Sequence, residues 1–219
     1  MYTLEFYHNK LNELGFEFPN LPVDVINDLE VKEFSTQKRM YVSGELWMGI
    51  NKEDYREIFE LYSHSVISSG KTVSTGLGMM IRESWLIKNK IDLTVIEKNK
   101  DVISYHLKHN PSLIEKITVI EMDAIDYNQP CDTLLLDHFE REPYDYIIQQ
   151  VIDISEKIDC KTVWFWPIER IILQDSIKNK RSLMESYDLL KNKIKKLPTL
   201  TENNIIEFVD LWCLHRQPL

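Results

Sequence analysis

The chain predicts an α/β protein built on a doubly wound, mostly parallel sheet with helices on both faces and a small N-terminal α+β cap. Three observations support this. From Lys71 onward, apolar runs of strand length alternate with amphipathic stretches of helix length. Gly76 and Gly78 stand where the first run turns into a helix-like stretch. The second run, Leu93–Ile96, ends on an acid, Glu97, about twenty residues past the glycines.

Composition sets the outer limits. The 219 residues are enough for one large domain with a substantial core. A formal charge of −9 argues against sequence-independent nucleic-acid binding, which needs clustered Lys and Arg. The one basic run, Lys191–Lys196, lies in a helix-like pattern and reads as a solvated face. No apolar run approaches membrane-spanning length and the N-terminus lacks a signal pattern, so a cytoplasmic protein without membrane contact is expected. Cys131, Cys160 and Cys213 are widely spaced with no CxxC, which suggests reduced, buried thiols.

Residues 1–50 are expected to form a separate cap or extension, with 51–219 as the main domain. Strand-like pieces at Tyr2–Tyr7, Val23–Ile26 and Met40–Val42 are set among Pro19, Asn20 and Pro22. Asn51–Val66 reads as an amphipathic helix, with Asn51 as its cap and Tyr55, Ile58, Phe59, Tyr62 and Val66 on one face. Strand one is then Thr72–Thr75, followed by a helix over Met79–Lys88. Strand two ends at Glu97 and leads into a helix from Asn99 to about His109, stopped by Pro111. Strand three is Ile117–Glu121, strand four Asp132–Leu136, and a helix opens at Pro143. Strand five is Thr162–Trp166; a helix over Ser182–Lys196 and a last strand, Ile205–Leu214, follow.

In an open parallel sheet, ligands sit beyond the carboxyl ends of the strands, where the strand order reverses. Those ends carry Ser74, Thr75, Gly76 and Gly78 after strand one, Glu97 after two, Asp123 and Ala124 after three, and Asp137-His138 after four. Glycines let the backbone approach a ligand, and Glu97 is placed to accept ribose hydroxyls. A cofactor with a ribose diol, an exocyclic amine and a positive centre suits three acids; a phosphate-rich cofactor does not.

From Lys71 to about Arg170 the chain resembles the Rossmann-like class I S-adenosylmethionine-dependent methyltransferases. STGLG matches their glycine-rich loop, IEK the ribose-binding acid, MDA the adenine-binding position and CDTLLLD the fourth motif. The resemblance implies a cofactor site of Ser74, Thr75, Gly76, Gly78, Glu97, Asp123, Ala124 and Asp137. GELWMG and LLLDHF are similar to segments of guanidinoacetate-type N-methyltransferases, which implies that Asp137 and Glu45 hold a cationic substrate nitrogen. A weaker similarity runs to spermidine synthases. Ser74 stands where the family usually has an acid, and Met80 takes the third glycine position.

Methyl transfer to a small nitrogen-containing acceptor is therefore the expected function, with S-adenosylmethionine as cofactor and no metal. Aminopropyl transfer, a binding-only relative and an NAD-dependent oxidoreductase stay open, as does homo-oligomerisation. Ile81 stands where the third glycine of a dinucleotide fingerprint belongs. His138 reads either as the general base or as a surface histidine. Glu45 beside Trp47 reads either as an amine site or as a solvated acid next to a packing indole. His106 and His109, at helical spacing, are expected to face solvent.

Overall fold

The computed structural model describes residues 4–16, 18–35, 37–51, 58–59, 61–139 and 143–214. Its centre is a five-stranded, all-parallel sheet of β5 (Lys71–Thr75), β6 (Asp92–Glu97), β7 (Thr118–Glu121), β8 (Cys131–Leu136) and β9 (Cys160–Phe165). The spatial order β7-β6-β5-β8-β9 reverses direction between β5 and β8. This pattern is compatible with a Rossmann-like fold. The central strands are shielded on both faces, so Val73, Val95, Leu134 and Val163 are all fully buried.

The helices around this sheet are α2 (Tyr62–Ile67), α3 (Ile81–Lys88), α4 (Lys100–His109), the short α5 (Pro111–Ile114) and α6 (Tyr144–Lys157). Asn99 caps α4, its side chain accepting from the Asp101 N–H at 2.9 Å. Three helices follow β9: α7 (Ile168–Asn179), α8 (Leu183–Lys193) and α9 (Glu202–Leu214). Ser182 and Glu185 form a reciprocal capping box at the start of α8.

A second, antiparallel sheet precedes the parallel one, with β1 (Asp24–Ile26), β2 (Leu29–Phe34), β3 (Gln37–Val42) and β4 (Glu45–Asn51) in sequential order. Before it runs a helix, α1 (Leu4–Leu14). The antiparallel sheet is tied to α4 through side chains. Asn27 donates to Asp101 at 2.7 Å, and the Tyr105 hydroxyl donates to the Pro22 carbonyl at 2.7 Å. Asp24 pairs with Lys108 and His109.

Several expectations are corrected. Tyr2–Tyr7 is not a strand, since its described part belongs to α1. Leu4, Tyr7, Leu11 and Leu14 recur at helical steps across a longer window than the short aromatic run. Ile205–Leu214 is likewise a helix. Ile205, Phe208, Val209, Leu211 and Trp212 are the buried positions, linked by steps of three and four that gather them on one helical face. The expected helix Asn51–Val66 begins too early, because Asn51 closes β4; residues 52–57, with Tyr55, lie outside the described residues. Val66 is 46% exposed, whereas Ile58 and Phe59 are buried. Helix α7 was not anticipated, although Ile168, Ile171 and Ile172 bury one of its faces.

Candidate active site

The glycine turn begins where β5 ends. Gly76 has φ +79° and Gly78 φ +47°, both in the left-handed region. A Cβ built on Gly76 would lie 3.0 Å from the Asp137 carbonyl oxygen, so the ends of β5 and β8 nearly touch here. Met80 also has positive φ, at 59°, and precedes the first residue of α3. Its side chain is fully buried. Met80 therefore belongs to the core beneath the turn and does not narrow an open pocket.

Glu97, at the end of β6, is buried. One of its oxygens accepts from the Leu77 N–H at 2.8 Å and the other from the Asn99 N–H at 2.7 Å. Burial raises its carboxyl above the usual range, and the two amides oppose that rise. Glu97 thus shapes the turn in this structure. Each oxygen accepts one amide hydrogen, so ribose hydroxyls would share Glu97 with the Leu77 and Asn99 amides.

Asp137 follows β8, directly across the strand-order reversal from Gly76. Its backbone N–H donates to the Thr75 hydroxyl at 3.0 Å, and the same hydroxyl oxygen lies 2.8 Å from His138 Nδ1. Thr75 therefore links Asp137 to His138. The Asp137 carboxylate pairs through Oδ2 with Arg82 Nη1 at 2.9 Å, and its side chain stays 28% exposed. Enclosure pushes this carboxyl up, to about 6, against the pull of the Arg82 guanidinium; Glu83 adds to the rise.

Arg82 had not been singled out in the sequence. It is buried in the first turn of α3, and Nη2 donates to Gly76 O at 2.6 Å and Thr75 O at 3.1 Å. Glu83 Oε1 accepts from Arg82 Nε at 3.0 Å and Nη2 at 2.8 Å. Ser74 donates to the same Glu83 oxygen at 3.3 Å. Ser74 is fully buried and so lies beneath the crevice, with an acid supplied to it from α3.

The other candidates are more dispersed. Asp123 is exposed and caps a single 3-10 turn, Ala124–Asp126, accepting from the Ile125 N–H at 3.1 Å. Ala124 is half-buried beside it. Glu45 is exposed at the start of β4. In register it opposes Val42 and Met48 opposes Met40, with Trp47 bulged between them. Glu45 and Met48 therefore share a face of β4. Met48 reaches the glycine turn, for a Cβ on Gly78 would meet its sulfur at 2.8 Å.

His106 does not face solvent. It is fully buried, its Nε2–H donates to Gly78 O at 2.7 Å, and Asn110 Nδ2 donates to its Nδ1 at 3.1 Å. Burial lowers it to about 4, so the ring is neutral near pH 7. A helix on which His106 and Tyr105 both point inward could have signalled this. His109 is paired with Asp24 at 2.6 Å. Cys131 and Cys160 are register partners on β8 and β9, both buried and unbridged; the Cys213 side chain lies outside the described residues.

Among the described residues, no group of three or more His, Cys, Asp or Glu is placed to hold a metal ion. No helix among them is long and apolar enough to cross a membrane. No protein-family model matches the chain, and no curated protein matches it in sequence.

Proposed function

We propose that this protein is an S-adenosylmethionine-dependent methyltransferase acting on a small, nitrogen-containing acceptor. One observation carries the reading. The glycine turn and the partly exposed Asp137 carboxylate meet at the reversal between β5 and β8, where open parallel sheets bind ligands. The residues there fit the cofactor in charge, because Asp137 Oδ1 accepts no hydrogen bond among the described residues and is open to a positive centre. Asp123 lies farther along the same edge. Exposed Met122 and Ile125 flank it and offer apolar surface to a flat ring.

When bound, the cofactor supplies an electrophilic methyl group on a sulfonium centre. The chain's own task is then to orient the acceptor and manage its proton. Asp137 holds the positive end of the ligand. Glu45, on the face of β4 shared with Met48, contributes a second carboxylate toward an acceptor ammonium. His138, held at Nδ1 by Thr75, is the proton-accepting group next to Asp137.

Titration calorimetry with S-adenosylmethionine, S-adenosylhomocysteine and NAD tests the reading. Saturable binding of the first two, with none of NAD, supports it. Binding of NAD alone overturns it in favour of an oxidoreductase. A second reading, a protein that binds the cofactor without turnover, is favoured by Glu97, whose two oxygens are both engaged by backbone amides. Cofactor binding with no methyl transfer to any amine in a panel of small acceptors would identify it.

A further inference from the structure

The most heavily bonded side chain in the crevice is Arg82. Its guanidinium spans three parts of the chain: Glu83 on its own helix, the Thr75 and Gly76 carbonyls of the turn, and Asp137 beyond β8. Only Oδ2 of Asp137 is taken, at 2.9 Å from Nη1. A planar fork anchored at this many acceptors has little freedom, so it fixes the carboxylate it holds. The other oxygen, Oδ1, accepts no hydrogen bond among the described residues, and a quarter of the side chain (28%) is exposed.

The charges around Asp137 are unbalanced. From α3 it faces Arg82 and Glu83; the Thr75 hydroxyl binds its backbone N–H, and His138 follows it in the chain. Glu97, on β6, borders the turn through Leu77, and Lys98 beside it is exposed. Within this cluster Arg82 brings one buried positive charge against three carboxylates, Glu83, Glu97 and Asp137. Such a cluster favours a second cation over an anion.

We propose that Arg82 is the positioning residue of this crevice, turning an ionised Asp137 Oδ1 toward a ligand group that carries a positive charge. The inference deepens the methyltransferase reading and rests on it: it assigns the sulfonium or ammonium of the ligand to Asp137, with Arg82 as the side chain that keeps that acceptor charged and aimed. Burial raises the Asp137 carboxyl, and the guanidinium opposes that rise.

The test uses the full chain and two readouts. Carboxyl-carbon NMR follows the Asp137 titration in wild type, Arg82→Lys and Arg82→Gln. Calorimetry compares S-adenosylmethionine, a cation at sulfur, with S-adenosylhomocysteine, its neutral thioether. In Arg82→Gln the Asp137 midpoint is expected to rise by about one pH unit or more, and in Arg82→Lys by less. The preference for the sulfonium over the thioether is expected to fall about fivefold or more in Arg82→Gln at pH 7, while thioether affinity changes little. An unmoved midpoint, or equal loss of both ligands, would leave Arg82 a structural residue and overturn the proposal. If Arg82→Gln does not fold, Asp137→Asn carries the test. It should abolish the sulfonium preference and keep thioether binding; an unchanged preference overturns the proposal. Failure of both ligands to bind wild type sinks the cofactor reading itself, whereas binding with an unmoved preference sinks only the role of Arg82.

Discussion

Glu169 shows how one buried carboxyl can make the whole fold sensitive to pH. It lies in the first turn of α7, almost fully buried, and accepts from the Ser63 hydroxyl at 2.7 Å, which itself accepts from Trp164 Nε1 at 3.1 Å. Burial pushes its carboxyl up, to about 7, with the hydrogen bonds opposing. A folded-state value raised above the unfolded one stabilises fully below about pH 4.5, and the contribution is lost as pH rises through about 7. The loss is on the order of 3 kcal/mol. Glu169→Gln keeps an oxygen for Ser63, so urea melts should show its stability exceeding wild type at pH 8 and converging with it near pH 5. His64, fully buried with both ring nitrogens unpartnered, acts in the opposite window: it folds neutral and costs stability as pH falls below the usual histidine range. The glycine turn makes a second residue-scale prediction. Gly76→Ala would place a Cβ 3.0 Å from the Asp137 carbonyl oxygen at a φ of +79°. The left-handed backbone alone costs about 1–2 kcal/mol. Denaturant unfolding should register at least that loss, and cofactor affinity should fall with it.

Among the elements, the boundaries legible in the sequence are those that side chains enforce. Asn99 caps α4, Pro111 lies just past its end, and Ser182, where a helix was expected to begin, caps α8 with Glu185; the short α5 that Pro111 opens was not anticipated. Ser182→Ala should cost about 1 kcal/mol in a urea titration, because it strips a hydroxyl from the Glu185 amide. The parallel strands were legible for a related reason: β6 and β8 are buried on both faces and read as apolar runs, while the edge strand β7, half-exposed, is a short apolar pair between Thr118 and Glu121. Periodicity was misread at the chain's ends. In Ile205–Leu214, alternation at Ile206, Phe208 and Leu211 suggests a strand, yet Ile206 is exposed and the buried set follows helical steps. The consequence bears on function. Methyltransferases of this class usually close their sheet with an antiparallel pair. Here α7, α8 and α9 follow β9, and its edge is met by a backbone bond from the Val163 N–H to Lys196 O at 2.9 Å.

At the scale of the whole molecule, the two sheets communicate through α4. Asn110 Oδ1 accepts from the Asn20 N–H at 2.6 Å while its Nδ2 donates to Asn20 O at 2.8 Å and to His106 Nδ1. His106 then holds Gly78 O, and Met48 of β4 packs on the same glycine. Asn110→Ala leaves the Asn20 amide and the His106 ring short of partners, at about 1–3 kcal/mol. Hydrogen exchange should quicken in both the segment around Asn20 and the glycine turn; faster exchange in only one would contradict a continuous chain of contacts between them. This coupling was not legible in the sequence, since Asn20 and Gly78 reach the local Asn110–His106 pair only through tertiary packing. Arg82 escaped notice for the same reason, as nothing local marks an arginine in a helix's first turn as buried. Glu97 and Asp137 were legible because they end apolar strands, but not the partners that occupy their oxygens.

The proposed function requires a positively charged nucleoside cofactor to bind at the reversal between β5 and β8. Amide NMR of the full chain during titration with S-adenosylmethionine tests it most directly. Saturable shifts concentrated at Leu77, Gly78, Asn99, Asp137 and His138 are expected, with Leu77 and Asn99 moving as ribose competes for Glu97. No saturable shifts, or shifts gathered on the antiparallel sheet away from these residues, would contradict it.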